Sequence, residues 1–181
     1  MEIIPIFAKN LFAFQYPNET MDEFERLFDC WRDIEYLENF FEENKDDLTS
    51  DFWNTSIEKA IKSTLSEAKL FERKLLDIAK NSETESIPDL EELFKPLNNA
   101  SSGLVELSMS KAYGVKYPSW LRIYAIKIET NVYIVTGGAI KLTETMNERT
   151  HLKEELRKLD FCKRWLRSEG ILDREGLCDN D

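Results

Sequence analysis

Apolar positions along the chain follow two periods. Over residues 22–43, Phe24, Leu27, Phe28, Trp31, Ile34, Leu37 and Phe41 recur at helical spacing, behind Thr20 and Glu23 placed as a capping box. A second helix is predicted over about 51–80, with Trp53, Ile57, Ala60, Ile61, Ala68, Phe71, Leu75 and Ile78 on one stripe. The short polar connection at 44–50 predicts that the two helices form an antiparallel hairpin. After a polar loop at 81–86, Pro88 opens a short helix over 89–95 that Pro96 ends. Leu152, Leu156, Leu159, Cys162 and Leu166 define a further helix, with Thr145 and Glu148 as a second capping box and Gly170 as a left-handed stop. Residues 171–181 are expected to fray.

Between residues 103 and 142 the period becomes two. Leu104, Val105 and Leu107 form a short apolar run. Leu121, Ile123, Ala125 and Lys127 then alternate with Arg122, Tyr124, Ile126 and Ile128, and Val132 to Val135 follow the turn at Glu129-Thr130-Asn131. Branched and aromatic residues punctuated by turn formers predict three consecutive antiparallel strands. Gly137-Gly138 mark a bulge or a strand end. Residues 3–16 are either one bent strand or a hairpin turning at Lys9-Asn10, and Pro5, with no amide proton, belongs on a sheet edge. The expected fold is one α+β domain over 1–170, with a tail at 171–181. It has an antiparallel sheet of about four strands, two long N-terminal helices and a C-terminal helix.

Composition narrows the class. A chain of 181 residues, 42% apolar and 12% aromatic, can bury a real core. No basic segment precedes an apolar run at the N-terminus, and no run approaches the roughly 20 residues a bilayer requires. Cys30, Cys162 and Cys178 form no CxxC pair, and with one histidine in the chain neither zinc nor another cofactor is implied. They read as reduced thiols of a cytoplasmic protein. The net charge of -11 is uneven: residues 1–100 carry 11 Lys+Arg against 23 Asp+Glu, and residues 101–181 carry 13 against 12. Nucleic acid is repelled by the whole molecule, and the sheet region alone attracts it locally.

Phosphate-cradling motifs are missing: there is neither GxGxxG nor GxxxxGK[ST]. His151, among Arg149, Thr150 and Lys153, reads as ordinary surface, because acid–base work also needs a positioned partner. Eleven carboxylates against three basic residues over 22–47 describe a solvated helix face or a docking face for a basic partner.

The order of elements resembles the small RelE/HigB-like toxin fold of bacterial toxin–antitoxin modules. The resemblance is carried by Leu93-Phe94-Lys95-Pro96-Leu97, Gly103-Leu104-Val105-Glu106-Leu107, Arg122-Ile123-Tyr124 and the run from Val132 through Gly137-Gly138 to Lys141-Leu142-Thr143, and is closest over 93–145. It implies a protein encoded with a small antitoxin-like partner, acting on messenger RNA at the ribosome, with no cofactor. Position by position, Arg122 matches the family's strand arginine and Lys141 the first lysine of its terminal pair. The resemblance therefore implies that both hold the scissile phosphate, with Lys116 and Lys127 as auxiliary RNA contacts. Fixed cations of this kind stabilise a pentavalent phosphorane. Three family positions differ: Ser108 and Leu142 stand where a cation is usual, and no tyrosine follows Lys141. The expected function is accordingly that of an mRNA-cleaving ribonuclease or of a divergent, inactive relative.

The alternative, from another class, is a non-catalytic protein-binding module whose acidic helix engages a basic partner through residues such as Glu35 and Glu42. In that case Arg122 is a structural arginine stacked on Tyr124 or Tyr133, or paired with Glu106, and Lys141 a solvated strand-end lysine.

Overall fold

The structure, a computed structural model, describes residues 1–7, 9–81, 89–97 and 107–178. Among these, six strands form one mixed sheet: β1 (Glu2–Phe7), β2 (Leu11–Gln15), β3 (Phe94–Pro96), β4 (Ser108–Tyr113), β5 (Leu121–Glu129) and β6 (Val132–Ile140). Their order is β1-β2-β6-β5-β4-β3. The α+β class is as expected, but the sheet has six strands rather than about four, since residues 2–15 supply two and 94–96 another, and it is mixed because β2 pairs with β6 in parallel. Residues 2–15 form the hairpin rather than one bent strand, and Pro5 lies in β1 at the edge, where its missing donor breaks no inner ladder.

Helices cover both faces. Alternate residues of β5 divide between them: Leu121, Ile123 and Ala125 pack with Phe28, Trp31, Phe41, Phe71 and Leu75, while Tyr124, Ile126 and Ile128 pack with Leu152, Leu159 and Leu166. A strand buried on both sides loses its polar alternation, which is why β5 and β6 read as nearly continuous apolar runs. The first face is covered by α1 (Glu23–Arg32), α2 (Ile34–Glu43) and α4 (Ile57–Asn81), with α3 (Lys45–Leu48) in the connection. The second is covered by α6 (Thr150–Ser168), and Leu177 of α7 (Arg174–Cys178) packs with it.

Several boundaries differ from the sequence reading for local reasons. The helix expected over 22–43 is two, because Asp33 leaves helical geometry and its side chain accepts from Tyr36 N to cap α2. Asp22, not Thr20, caps α1, accepting from Phe24 N and Glu25 N. Trp53 lies before α4, outside the helix. The helix expected over 89–95 stops at Leu93 as α5 (Leu90–Leu93), and Phe94–Pro96 pairs with β4. The expected strand over 104–107 and the loop at 81–86 fall almost wholly outside the described residues, as do Pro88 and Glu106; Leu107 and Asn81 alone are described. The first central strand begins at Ser108. Thr145 and Glu148 do bond, but α6 starts at Thr150 with no side-chain cap. The expected frayed tail instead carries α7, held by buried Ile171 and Leu177. Gly170 takes the left-handed conformation as expected, with φ +74°.

The glycine pair does mark a bulge. Tyr124 pairs with Gly137 and Ala125 with Val135, so Thr136 is the extra residue. Beyond that point β2 and β6 no longer pair, their ladder ending at Ala13 and Val135.

Candidate functional site

β4 ends, β5 begins and β6 ends on the same side of the sheet. Three connections converge there: residues 113–119 from β4 to β5, 141–148 from β6 toward α6, and 47–53 between α3 and α4. They enclose a cleft of about 980 Å³ lined by Arg122, Lys141, Lys116, Tyr113, Tyr117 and Phe52, among others.

The walls are pinned by side chains reaching across the sequence. Trp53 Nε1–H donates to the Leu142 carbonyl at 2.7 Å, tying the α3–α4 connection to the segment after β6. Trp53 packs edgewise on Trp120, whose own Nε1–H donates to Thr64 Oγ1 at 2.9 Å in the core. The Lys116 amide donates to buried Glu67 at 3.0 Å. Gly114 permits that approach, since a Cβ there would lie 2.2 Å from both Glu67 Oε1 and Ser119 Oγ. Phe52 and Tyr117 remain exposed at the rim, Tyr117 completely.

Arg122 is fixed on three sides. Its Nη1 donates to the Ser119 and Leu121 carbonyls, both at 2.7 Å, and its guanidinium carbon lies 4.2 Å from the centroid of the Tyr113 ring. Tyr113 is its direct partner in the β4–β5 ladder. The stacking partner is thus Tyr113, not Tyr124 or Tyr133. Lys141 is not a free strand-end cation: its Nζ donates to the carbonyls of Thr143 at 2.7 Å and Glu144 at 2.6 Å. Burial lowers the pKa of both cations, and the charge of Arg122 lowers that of Lys141 further. Arg122 and Lys141 thus bring two partly desolvated cations to the cleft, whose lining also holds Lys116 and the carboxylates Asp47, Glu144 and Glu148.

The other residues singled out from sequence separate. Lys116 lies in the cleft, with its Nζ 3.3 Å from Ser63 Oγ. Lys127 is far along β5, bound at 2.5 Å to Glu91 of α5, so it does not join the cleft cations. Glu35 and Glu42 lie exposed on α2, away from the cleft, with Glu42 3.8 Å from Lys45. His151 is half-buried rather than ordinary surface: its Nε2–H donates to the Ile140 carbonyl at 3.1 Å and its ring packs edgewise on Phe40. Sequence reasoning missed Tyr113 and Phe52 as cleft residues and Glu67 as the buried support of its wall. The one signal for Tyr113 was its place at the head of the turn Tyr113-Gly114-Val115-Lys116-Tyr117-Pro118.

No family model matches the chain, and neither a curated protein nor a solved structure matches it. No helix among the described residues is long and apolar enough to cross a membrane.

Proposed function

We propose that the protein binds RNA in this cleft, as a divergent relative of the RelE/HigB-like toxins. The observation that carries the reading is the convergence of Arg122, Lys141 and Lys116 on one cleft with exposed aromatic rings at its rim. Phosphate charge meets fixed cations, and an unpaired base meets a π-face, which is how single-stranded nucleic acid is held without groove readout. Arg122 is the phosphate contact, because its Nη1 and ring stacking anchor it while the other guanidinium nitrogens remain to donate. Lys141, with two donors committed to loop carbonyls, positions the 143–144 segment and adds charge. If the site cleaves RNA, Arg122 is the group that stabilises the phosphorane, by electrostatics.

The test is twofold. Fluorescence anisotropy with a labelled single-stranded RNA should show binding that weakens with salt and falls at least about tenfold in Arg122→Ala, the loss expected of a charge-assisted phosphate contact. Controlled induction in bacteria should arrest growth with the wild type and not with a folded Arg122→Ala/Lys141→Ala variant. RNA binding that is absent, or unchanged in Arg122→Ala, overturns the reading.

A second reading has its own observation. On α2, Ile34 is 59% exposed among Glu35, Glu38 and Glu42, an apolar residue in a carboxylate field that suits a basic amphipathic partner such as a small antitoxin-like protein. Glu35→Lys/Glu42→Lys should abolish that association and leave RNA binding in place.

A further inference from the structure

Where β2 and β6 part, no strand among the described residues lies beside the outer edge of β6, and side chains take the strand's place. Tyr16, just after β2, donates its hydroxyl to the Thr136 carbonyl at 2.8 Å, and His151 of α6 donates to the Ile140 carbonyl. Between these two caps sits a buried charge cluster. Glu23 of α1 is 3% exposed and Glu155 of α6 is 8% exposed.

The two carboxylates are not equivalent. Glu23 receives three charge-assisted bonds: Arg26 Nε at 2.7 Å, Arg26 Nη2 at 2.8 Å and Lys158 Nζ at 2.9 Å. Glu155 receives one, from the same Lys158 Nζ at 3.2 Å. Its second oxygen, Oε2, is buried with no hydrogen-bond partner. It lies against Gly137, where a Cβ would come within 2.1 Å of it. A buried carboxylate with one shared cation and one bare oxygen is the less stable of the two as an anion.

Several elements around Glu155 contribute charged or titratable groups. Glu23 and Arg26 face it from α1, Lys158 and Cys162 from α6 itself, Tyr36 from α2, Tyr16 from the end of β2 and Tyr124 from β5. The tyrosines are held neutral by burial, and the two cations are engaged first by Glu23. Lys158 and Arg26, the cations that act on Glu155, are thus shared with the first negative charge.

We infer that Glu155 is a proton-operated latch: protonated, it seats α6 against the free edge of β6, and ionised, it unseats the helix along Gly137–Ile140. Residues 141–149 run directly from β6 into α6, so the cleft wall they form is carried by the same latch. Burial raises the Glu155 pKa to about 7, while the bonds from Arg26 and Lys158 hold Glu23 below the ordinary carboxylate range against the same desolvation. Two acids pushed apart in this way divide the roles of proton holder and permanent anion. The latch is independent of what the cleft binds.

The test follows the side-chain carboxyl carbons of the full chain by NMR from pH 4 to 9, with Glu155→Gln supplying the assignment. One glutamate should titrate near pH 7, and its signal should vanish in Glu155→Gln. Amide exchange, corrected for intrinsic rate, should then show several-fold loss of protection at residues 136–140 and in the first turns of α6 between pH 6 and pH 8. Glu155→Gln should remove that loss. Gly137→Ala should force the carboxyl out toward water and return its titration to the ordinary range; if that variant does not fold, the wild-type and Glu155→Gln comparison decides. A Glu155 midpoint near the usual value of about 4.3 overturns the inference, as does pH-independent protection of the seam in the wild type.

Discussion

Tyr113 and Arg122 are direct neighbours across the β4–β5 ladder, and the arginine lies over the tyrosine ring 4.2 Å from its centroid. This contact orients the cleft cation proposed as the phosphate contact. Removing the ring in Tyr113→Ala forfeits a cation–π contact of about 1 kcal/mol and frees the side chain. RNA affinity should fall about fivefold, measured by anisotropy, while Tyr113→Phe keeps the ring and the affinity.

Gly114 lets the β4–β5 connection lie on Glu67. Gly114→Ala places a Cβ within 2.2 Å of Glu67 Oε1 and Ser119 Oγ, so the loop must shift and the Lys116 amide bond to Glu67 must lengthen. Overpacking of this kind costs about 2 kcal/mol. Urea denaturation should show the loss, and amide exchange should place it at residues 114–119.

The Trp53 indole bond to the Leu142 carbonyl closes the opposite wall. Trp53→Phe keeps an aromatic ring on Trp120 but leaves that carbonyl without its donor, a loss of about 1–2 kcal/mol. Exchange protection should drop at residues 141–144, and global stability should fall by that amount.

Glu155 makes stability depend on pH in an uncommon direction. Its folded pKa of about 7 lies above the unfolded value, so its contribution is whole below that unfolded value and is lost as pH rises through 7. The interval corresponds to roughly 3 kcal/mol. Denaturation at fixed pH values should therefore find Glu155→Gln less pH-dependent than the wild type between pH 5 and pH 8, and more stable than it at pH 8.

Glu23 acts with the opposite sign. Arg26 and Lys158 hold its pKa low, so its stabilisation is present above the unfolded value and lost as pH falls through the folded one. Glu23→Gln removes the buried anion from two partly exposed cations, Arg26 and Lys158, and should cost about 2 kcal/mol at pH 7. The difference from wild type should shrink below the carboxylate range in the same denaturation series.

Elements with a strong period of their own were legible in the sequence. The Leu152–Leu166 spacing of α6, the alternation of β5, an irregularity beside Gly137-Gly138 and the edge position of Pro5 follow from local sterics and from which faces must be dry. The helix break at Asp33 was harder to see, because the apolar stripe of α1 continues in phase into α2 and hides a cap of a single residue. Candidate cleft residues were half legible. Arg122, Lys141 and Lys116 stood out as cations in strand-forming sequence, but Lys127 carries the same signal and lies with Glu91 instead.

By itself the sequence determined the α+β class, the two periods, the acidic N-terminal helices and the identity of the cations near the central strands, all of which depend on neighbours a few residues apart. Only the tertiary structure decided that β2 enters the sheet in parallel beside β6, that both faces are covered, and that Trp53, Tyr113 and Glu67 shape the cleft. It also decided that Glu23 and Glu155, 132 positions apart in the chain, share one lysine. These are relations between segments that no local pattern encodes, because a pairing register and a buried charge acquire their energy only from the groups folding brings against them.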